Sequence, residues 1–209
     1  MIDSTNWALF VVASWALIVA PGPDMIYVIT RGISQGRGAG LLSAAGVTTG
    51  ILVHTTFAAL GLAALLHTSA LAFQVVKFVG AAYLLLLGVR AFLDKESIAP
   101  QQERQPKKLQ AIYAQGLLSN VLNPKVALFF LAFLPQFIDS ASSRSTLQMV
   151  MLGIVFALFT ILFLATVGYF SGQIGTWIAG KPAFATRLRW LTGGVLVALG
   201  IRLAITRRA

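Results

Sequence analysis

Two of the long apolar runs in this chain are interrupted by proline beside an ionisable residue: Ala20-Pro21-Gly22-Pro23-Asp24 and Leu122-Asn123-Pro124-Lys125. In hydrocarbon the backbone must satisfy its own polar groups, so runs of this length are read as membrane-spanning helices. Proline removes a donor and clashes with the carbonyl one turn earlier. Pro21 and Pro23 are therefore expected to free carbonyls around Leu17 and Val19, and Pro124 that of Asn120. A broken backbone at lipid depth is tolerated only against protein or a cavity. A charge there costs about 2.5–3.5 kcal/mol on insertion scales, which makes each motif a candidate functional site.

The rest of the chain supplies the membrane. Of 209 residues, 57% are hydrophobic and 11% charged, with mean hydropathy +0.83; soluble domains carry about 25% charged residues. The expected fold is an all-α integral membrane protein of six transmembrane helices, near 6–29, 40–66, 71–93, 111–138, 147–177 and 188–205, the first and fourth proline-broken. Residues 31–38 read as a basic, glycine-rich connection, and 94–110, with Pro100 and Pro106, as the central cytoplasmic loop. The first run follows the acidic Asp3, lacks a basic leader and is too long for a cleaved signal. The chain is thus expected to be one transporter domain over 1–209.

The net charge of +10 comes from Lys and Arg lying almost entirely between the apolar runs, a pattern that sets topology rather than one that binds nucleic acid. With the N-terminus outside, ten of these residues fall on the cytoplasmic side, Arg31 and Arg37 among them, and five on the other, including Lys77. Both termini are expected outside, in the periplasm of a Gram-negative cell. With no cysteine the chain has no thiolate or dithiol chemistry. Asp24 and His54 are too few for a metal site. The zinc-protease and nucleophile-elbow motifs are absent, so neither an enzyme nor a cofactor is expected.

The two halves, 1–93 and 111–209, echo each other. Pro23-Asp24 matches Pro124-Lys125 at an offset of 101, Gly46 and Gly61 match Gly153 and Gly168 at 107, and Leu87-Gly88-Val89-Arg90 matches Leu199-Gly200-Ile201-Arg202 at 112. Three spans per half would make the second copy inverted, as in many secondary transporters. The small-residue pattern Gly46-Val47-Thr48-Thr49-Gly50 suits close helix packing, within one chain or between copies of a homo-oligomer.

Asp24 is the one carboxylate expected within the spans, a candidate ammonium ligand and proton carrier, or else a helix-end acid at the membrane surface. Lys125 either pairs with Asp24, binds a substrate carboxylate or snorkels. Asn123 offers a donor and an acceptor. Gln115, Ser119 and Asn120 form a polar face that lines a pathway or joins helices. His54, among Thr48, Thr49, Thr55 and Thr56, is a candidate proton relay or a histidine satisfied by a neighbour. Half-helix N-termini attract a carboxylate and freed carbonyls attract an ammonium, the two ends of a zwitterionic amino acid.

These residues, together with 80–90 and the run Asn123-Pro124-Lys125-Val126-Ala127-Leu128-Phe129-Phe130-Leu131 followed by Phe133-Leu134-Pro135-Gln136-Phe137, resemble the LysE superfamily of amino-acid exporters, specifically its RhtB branch. The resemblance covers essentially the whole chain. It implies a bacterial inner-membrane permease that exports threonine, homoserine, homoserine lactone or a similar molecule, by proton antiport. It also implies that Pro21, Gly22, Pro23, Asp24, Asn123, Pro124 and Lys125 shape the transport site. Exporters of lysine or arginine are expected to carry a further acid in helix 2; none occurs between 40 and 66, which favours a neutral substrate. The competing readings are an accessory or structural membrane protein and a cation exporter of the same superfamily.

Overall fold

The computed structural model describes residues 4–62, 70–93, 108–138, 142, 144–173 and 182–205. Nearly all of the central loop predicted over 94–110 lies outside them, as do the predicted ends of helices 2 and 5. Among the described residues the chain is helical, with no strand.

Both proline motifs break an apolar helix. Helix α1 (Ser4–Val19) gives way to α2 (Pro23–Gln35) through a 51° bend, and α5 (Leu109–Val121) to α6 (Pro124–Leu128) through a 45° bend. Each proline that restarts a helix occupies its first turn, where the missing N–H costs nothing. Between the breaks lie α3 (Arg37–Phe57), which runs on into a π-helical turn at Ala58–Leu62, and α4 (Ala70–Leu93). After α6 the chain tightens through a π-helical turn, Phe129–Phe133, and a 3₁₀ turn, Leu134–Phe137, followed by α7 (Ser145–Tyr169) and α8 (Pro182–Ile205).

The segment Arg37–Gly61 and helix α7 are each long and apolar enough to cross a membrane alone, and each bent pair is so when counted as one span. Helices α4 and α8 have 24 residues each, a length of about 36 Å at the usual rise. Helix α8 begins at Pro182, six residues before the predicted start.

The largest departure from the sequence reading lies at 31–38. No basic loop separates the first two predicted spans: α2 runs to Gln35, α3 starts at Arg37, and Gly36 alone makes the joint, at φ 84° and ψ 176°. Side chains are essentially excluded from that backbone region, so glycine lets the chain reverse in one residue. Arg31 consequently sits inside the bundle, 1% exposed. Lys77, assigned above to the outer side, is also buried on α4, with Nζ 3.5 Å from the Ala204 carbonyl oxygen.

Helix α3 packs on α5, α7 and α2, while α4 packs on α8. Small residues allow these approaches. A methyl on Gly46 would lie against the Tyr113 carbonyl, one on Gly116 would be 2.7 Å from the Ser43 oxygen, and Gly40 faces the Gly168 backbone. Gly88 of α4 touches Val197 and Gly193 of α8, and its counterpart Gly200 of α8 touches Ala81 and Leu85 of α4. The pair Gly61 and Gly168 has no such equivalence, since a methyl on Gly61 would meet nothing within 4 Å. Behind the breaks, the buried rings of Phe129, Phe130, Phe133 and Phe156 form the core, with Phe129 and Phe156 centroids 5.1 Å apart.

Candidate functional site

The carbonyls that proline deprives of a partner decide how the two breaks meet. Pro21 frees the Leu17 oxygen, which accepts from Lys125 Nζ at 2.9 Å; the same ammonium donates to the Ala20 oxygen, also at 2.9 Å. Lys125 thus neither snorkels nor pairs directly with Asp24. It lies at the C-terminal, partially negative end of α1, although its own residue opens α6, where a cation is disfavoured. Gly22 makes the room, because a methyl there would sit 3.1 Å from Nζ.

Pro124 frees the Asn120 oxygen, which is 3.1 Å from His54 Nε2 and accepts from the Asn123 backbone N–H at 2.9 Å. The ring of His54 rests near that of Phe130, with centroids 5.8 Å apart. His54 therefore braces the second break rather than touching Asp24.

Asp24 stands in the first turn of α2, where the helix dipole favours an anion. Three side chains from the other break donate to it: Ser119 Oγ at 3.1 Å to Oδ1, and Asn120 Nδ2 at 2.8 Å and Asn123 Nδ2 at 2.9 Å to Oδ2. An ionised carboxylate only accepts, so three donors complement it. Asn123 also caps α6, its Oδ1 accepting from the Lys125 N–H at 3.0 Å. Asn120 and Asn123 are buried, and Asn120 Oδ1 has no hydrogen-bond partner.

The two breaks therefore brace each other crosswise. Ser119, Asn120 and Asn123 of the second hold the acid of the first, and Lys125 of the second holds the freed carbonyls of the first. Asp24, Asn120, Lys125 and Gly22 together line one small cavity between the two breaks. Its remaining wall is mostly apolar, from Leu17 and Ile18 of α1, Met25 of α2, Ile51 of α3, and Phe156 and Leu164 of α7, with the hydroxyl of Thr160 among them.

Of the residues singled out in the sequence as site residues, Gly22, Asp24, Asn120 and Lys125 line this cavity, whereas Pro21, Pro23, Asn123, Pro124, Thr48, Thr49, Gln115 and His54 do not. Thr48 and Thr49 donate to carbonyls of their own helix, and Thr49 Oγ1 lies 2.8 Å from the Tyr113 hydroxyl. Gln115 joins Tyr27 and Arg31 one turn further along. The α7 wall, Phe156 and Thr160, was not read from the sequence, where both merge into an uninterrupted apolar run. Among the described residues, no three His, Cys, Asp or Glu side chains gather in a way that could hold a metal ion.

Comparison with known proteins places this geometry in context. The family described as LysE type translocator matches residues 15–207. The uncharacterized membrane protein YrhP of Bacillus subtilis is 30% identical over 199 residues, covering 91% of this chain and 94% of its own. A homoserine/homoserine lactone efflux protein of Salmonella typhimurium is 28% identical, covering 97% of this chain and 98% of its own. A leucine efflux protein of an Enterobacter species is also 28% identical, at 95% of each chain. No solved structure matches the chain.

Proposed function

We propose that this chain, which belongs to the LysE type translocator family, is a secondary exporter of neutral amino acids or close derivatives, working by proton antiport. Membership makes it a membrane translocator. The relatives whose names specify a substrate move homoserine, homoserine lactone or leucine. The observation that carries the finer reading is that a carboxylate, Asp24, and an ammonium, Lys125, face one cavity from two broken helices.

The two groups offer a partner of opposite charge to each end of a zwitterion. Its ammonium meets Asp24, and its carboxylate accepts a hydrogen bond from the third N–H of Lys125, the one not directed at Leu17 or Ala20, since an ammonium has three donors. A proton and a substrate ammonium compete for the same carboxylate, the minimal coupling that antiport requires. The mechanism follows from the cross-brace. When substrate takes the place of Ser119, Asn120 or Asn123 at Asp24, it loosens the bonds that tie α2 to α5 and α6, and the two halves are free to rock. Two inverted three-helix repeats, six spans in all, would then alternate access to the site. The similar bends, the mutual bracing and the reciprocal contacts of Gly88 and Gly200 support that architecture.

The test is flux in proteoliposomes with an imposed proton gradient, across a panel of neutral amino acids. Wild-type protein should move at least one of them, faster with the gradient. Asp24→Asn should reduce that flux to background while protein in the membrane stays at the wild-type level. Undiminished flux by the mutant would remove Asp24 from the mechanism.

A further inference from the structure

Beyond the cavity the polar line does not stop. Asp24, Tyr27, Arg31 and Gln35 recur at helical spacing on α2, and Ile112, Gln115 and Ser119 recur on α5. The two rows meet rung by rung: Ser119 donates to Asp24, and the Tyr27 hydroxyl donates to the Ile112 carbonyl at 2.7 Å and lies 3.5 Å from Gln115 Oε1. At the third rung the buried guanidinium of Arg31 donates to Gln115 Oε1 at 3.4 Å through Nη2 and to Gln35 Oε1 at 3.2 Å through Nη1. Its Cζ stands 5.4 Å from the Tyr27 ring centroid.

This rung closes the seam. No α2 residue beyond Met25 lines the cavity, so the layer of Tyr27, Arg31 and Gln115 separates it from the Gly36 end of the bundle. Around that layer the backbones are already in contact, Gly32 and Gly40 against Gly168 and Gly116 against Ser43. Arg31 bridges α2 and α5 across what would otherwise be the gap.

We propose that Arg31 is the gate residue on the Gly36 side and that it reads the substrate's carboxylate, a role resting on the export reading above. Its bonds to Gln35 and Gln115, which are not all of its interactions, are long and made to neutral oxygens. A carboxylate offers a guanidinium two parallel, charge-assisted bonds of about twice the strength. An amino acid arriving at the Gly36 side draws Arg31 off Gln115, which leaves the Tyr27–Ile112 bond as the remaining tie of this layer; once that yields too, the substrate passes along the seam to Asp24, two turns away. A molecule without a free carboxylate does not draw Arg31 off, so of the substrates named for the relatives the gate admits homoserine and leucine and not homoserine lactone.

Two measurements test this, and the cysteine-free chain suits the first. A single cysteine replaces Thr160 in the cavity wall, and a membrane-impermeant maleimide is applied to each face of oriented vesicles. A separate Gly38→Cys variant, at an exposed position, identifies the Gly36 face. From that face the Thr160→Cys protein should label slowly, and adding Arg31→Ala or Gln115→Leu should each speed labelling by about tenfold or more, the shift of a closed population towards open. Unchanged rates in both would overturn the gate. The second measurement compares flux of L-leucine with L-leucinamide and of L-homoserine with its amide. Wild type should favour the free acids, and Arg31→Gln should narrow that preference by about threefold or more, because the gate no longer distinguishes them. An unaltered ratio would overturn carboxylate reading. If wild type moves neither acid nor amide, the export reading fails, while the labelling result still decides the gate.

Discussion

A methyl added to Gly50 would lie 2.6 Å from Asn120 Oδ1 and 2.7 Å from Asn120 Cβ, closer than real side chains come. Asn120 is fully buried and its Cβ is fixed to α5, so it has nowhere to move except away from Asp24. Misplacing a reacting group by about 1 Å can cost about 10²-fold in rate, and Gly50→Ala should reduce export on that scale. Gly22→Ala places its methyl 3.1 Å from Lys125 Nζ, the tip of a flexible side chain that can yield a few tenths of an ångström. Its loss should therefore be smaller. Initial flux per mole of membrane protein measures both, and equal losses would show that crowding at Asn120 has no special weight. Legibility divides along the same line. The carbonyls freed by Pro21 and Pro124 follow from local stereochemistry and are where proline rules put them, at Leu17 and Asn120. The groups that take them up, Lys125 and His54, stand 108 and 66 positions away, a pairing that only the packed bundle defines.

At the scale of the element, Gly36 decides whether α2 and α3 form one corner. A side chain at φ 84° and ψ 176° costs about 1–3 kcal/mol, although a methyl there would meet no neighbour within 4 Å. Gly36→Ala should therefore destabilise the protein by about that amount through backbone strain alone, read as a lower melting temperature in detergent. A melting temperature equal to wild type would mean that the corner bends elsewhere. The corner is also where sequence reading went astray. A basic residue at the end of an apolar run usually marks the membrane surface, and on that rule Arg31 belonged to a loop. The spacing of Asp24, Tyr27, Arg31 and Gln35 carries the opposite message, since polar groups three and four apart make a buried stripe on a continuing helix. The break at Asn123-Pro124 was legible as a turn, because asparagine caps and proline starts helices. The π-helical turn that follows it, Phe129–Phe133, was not, because its five apolar residues favour no particular winding.

At the scale of the whole molecule, the burial of Arg31 and Lys77 alters the charge balance that orients the chain. Both are buried within the bundle, and with them set aside the ten-to-five ratio of the sequence reading becomes nine to four. The bias keeps its sign and its weight, because it rests on surface residues such as Arg37, which is exposed and stacks on Tyr169 at 4.6 Å. The six spans proposed above would bring both termini to one side, and the positive charge near the connections would hold that side away from the cytoplasm. Reporters active only in the periplasm should therefore function at either end of the chain, and a reporter active only in the cytoplasm should function when inserted within 94–110. The opposite pattern would reverse the assignment. The outcome also fixes the direction of the gate, since α2 and α3 meet at Gly36 on the face opposite the N-terminus of α1. With the termini outside, the Arg31 layer seals the cavity from the cytoplasm, the side from which an exporter must load. The arrangement described then precedes loading, with the cytoplasmic seam shut and Asp24 held by three donors until a substrate displaces one of them.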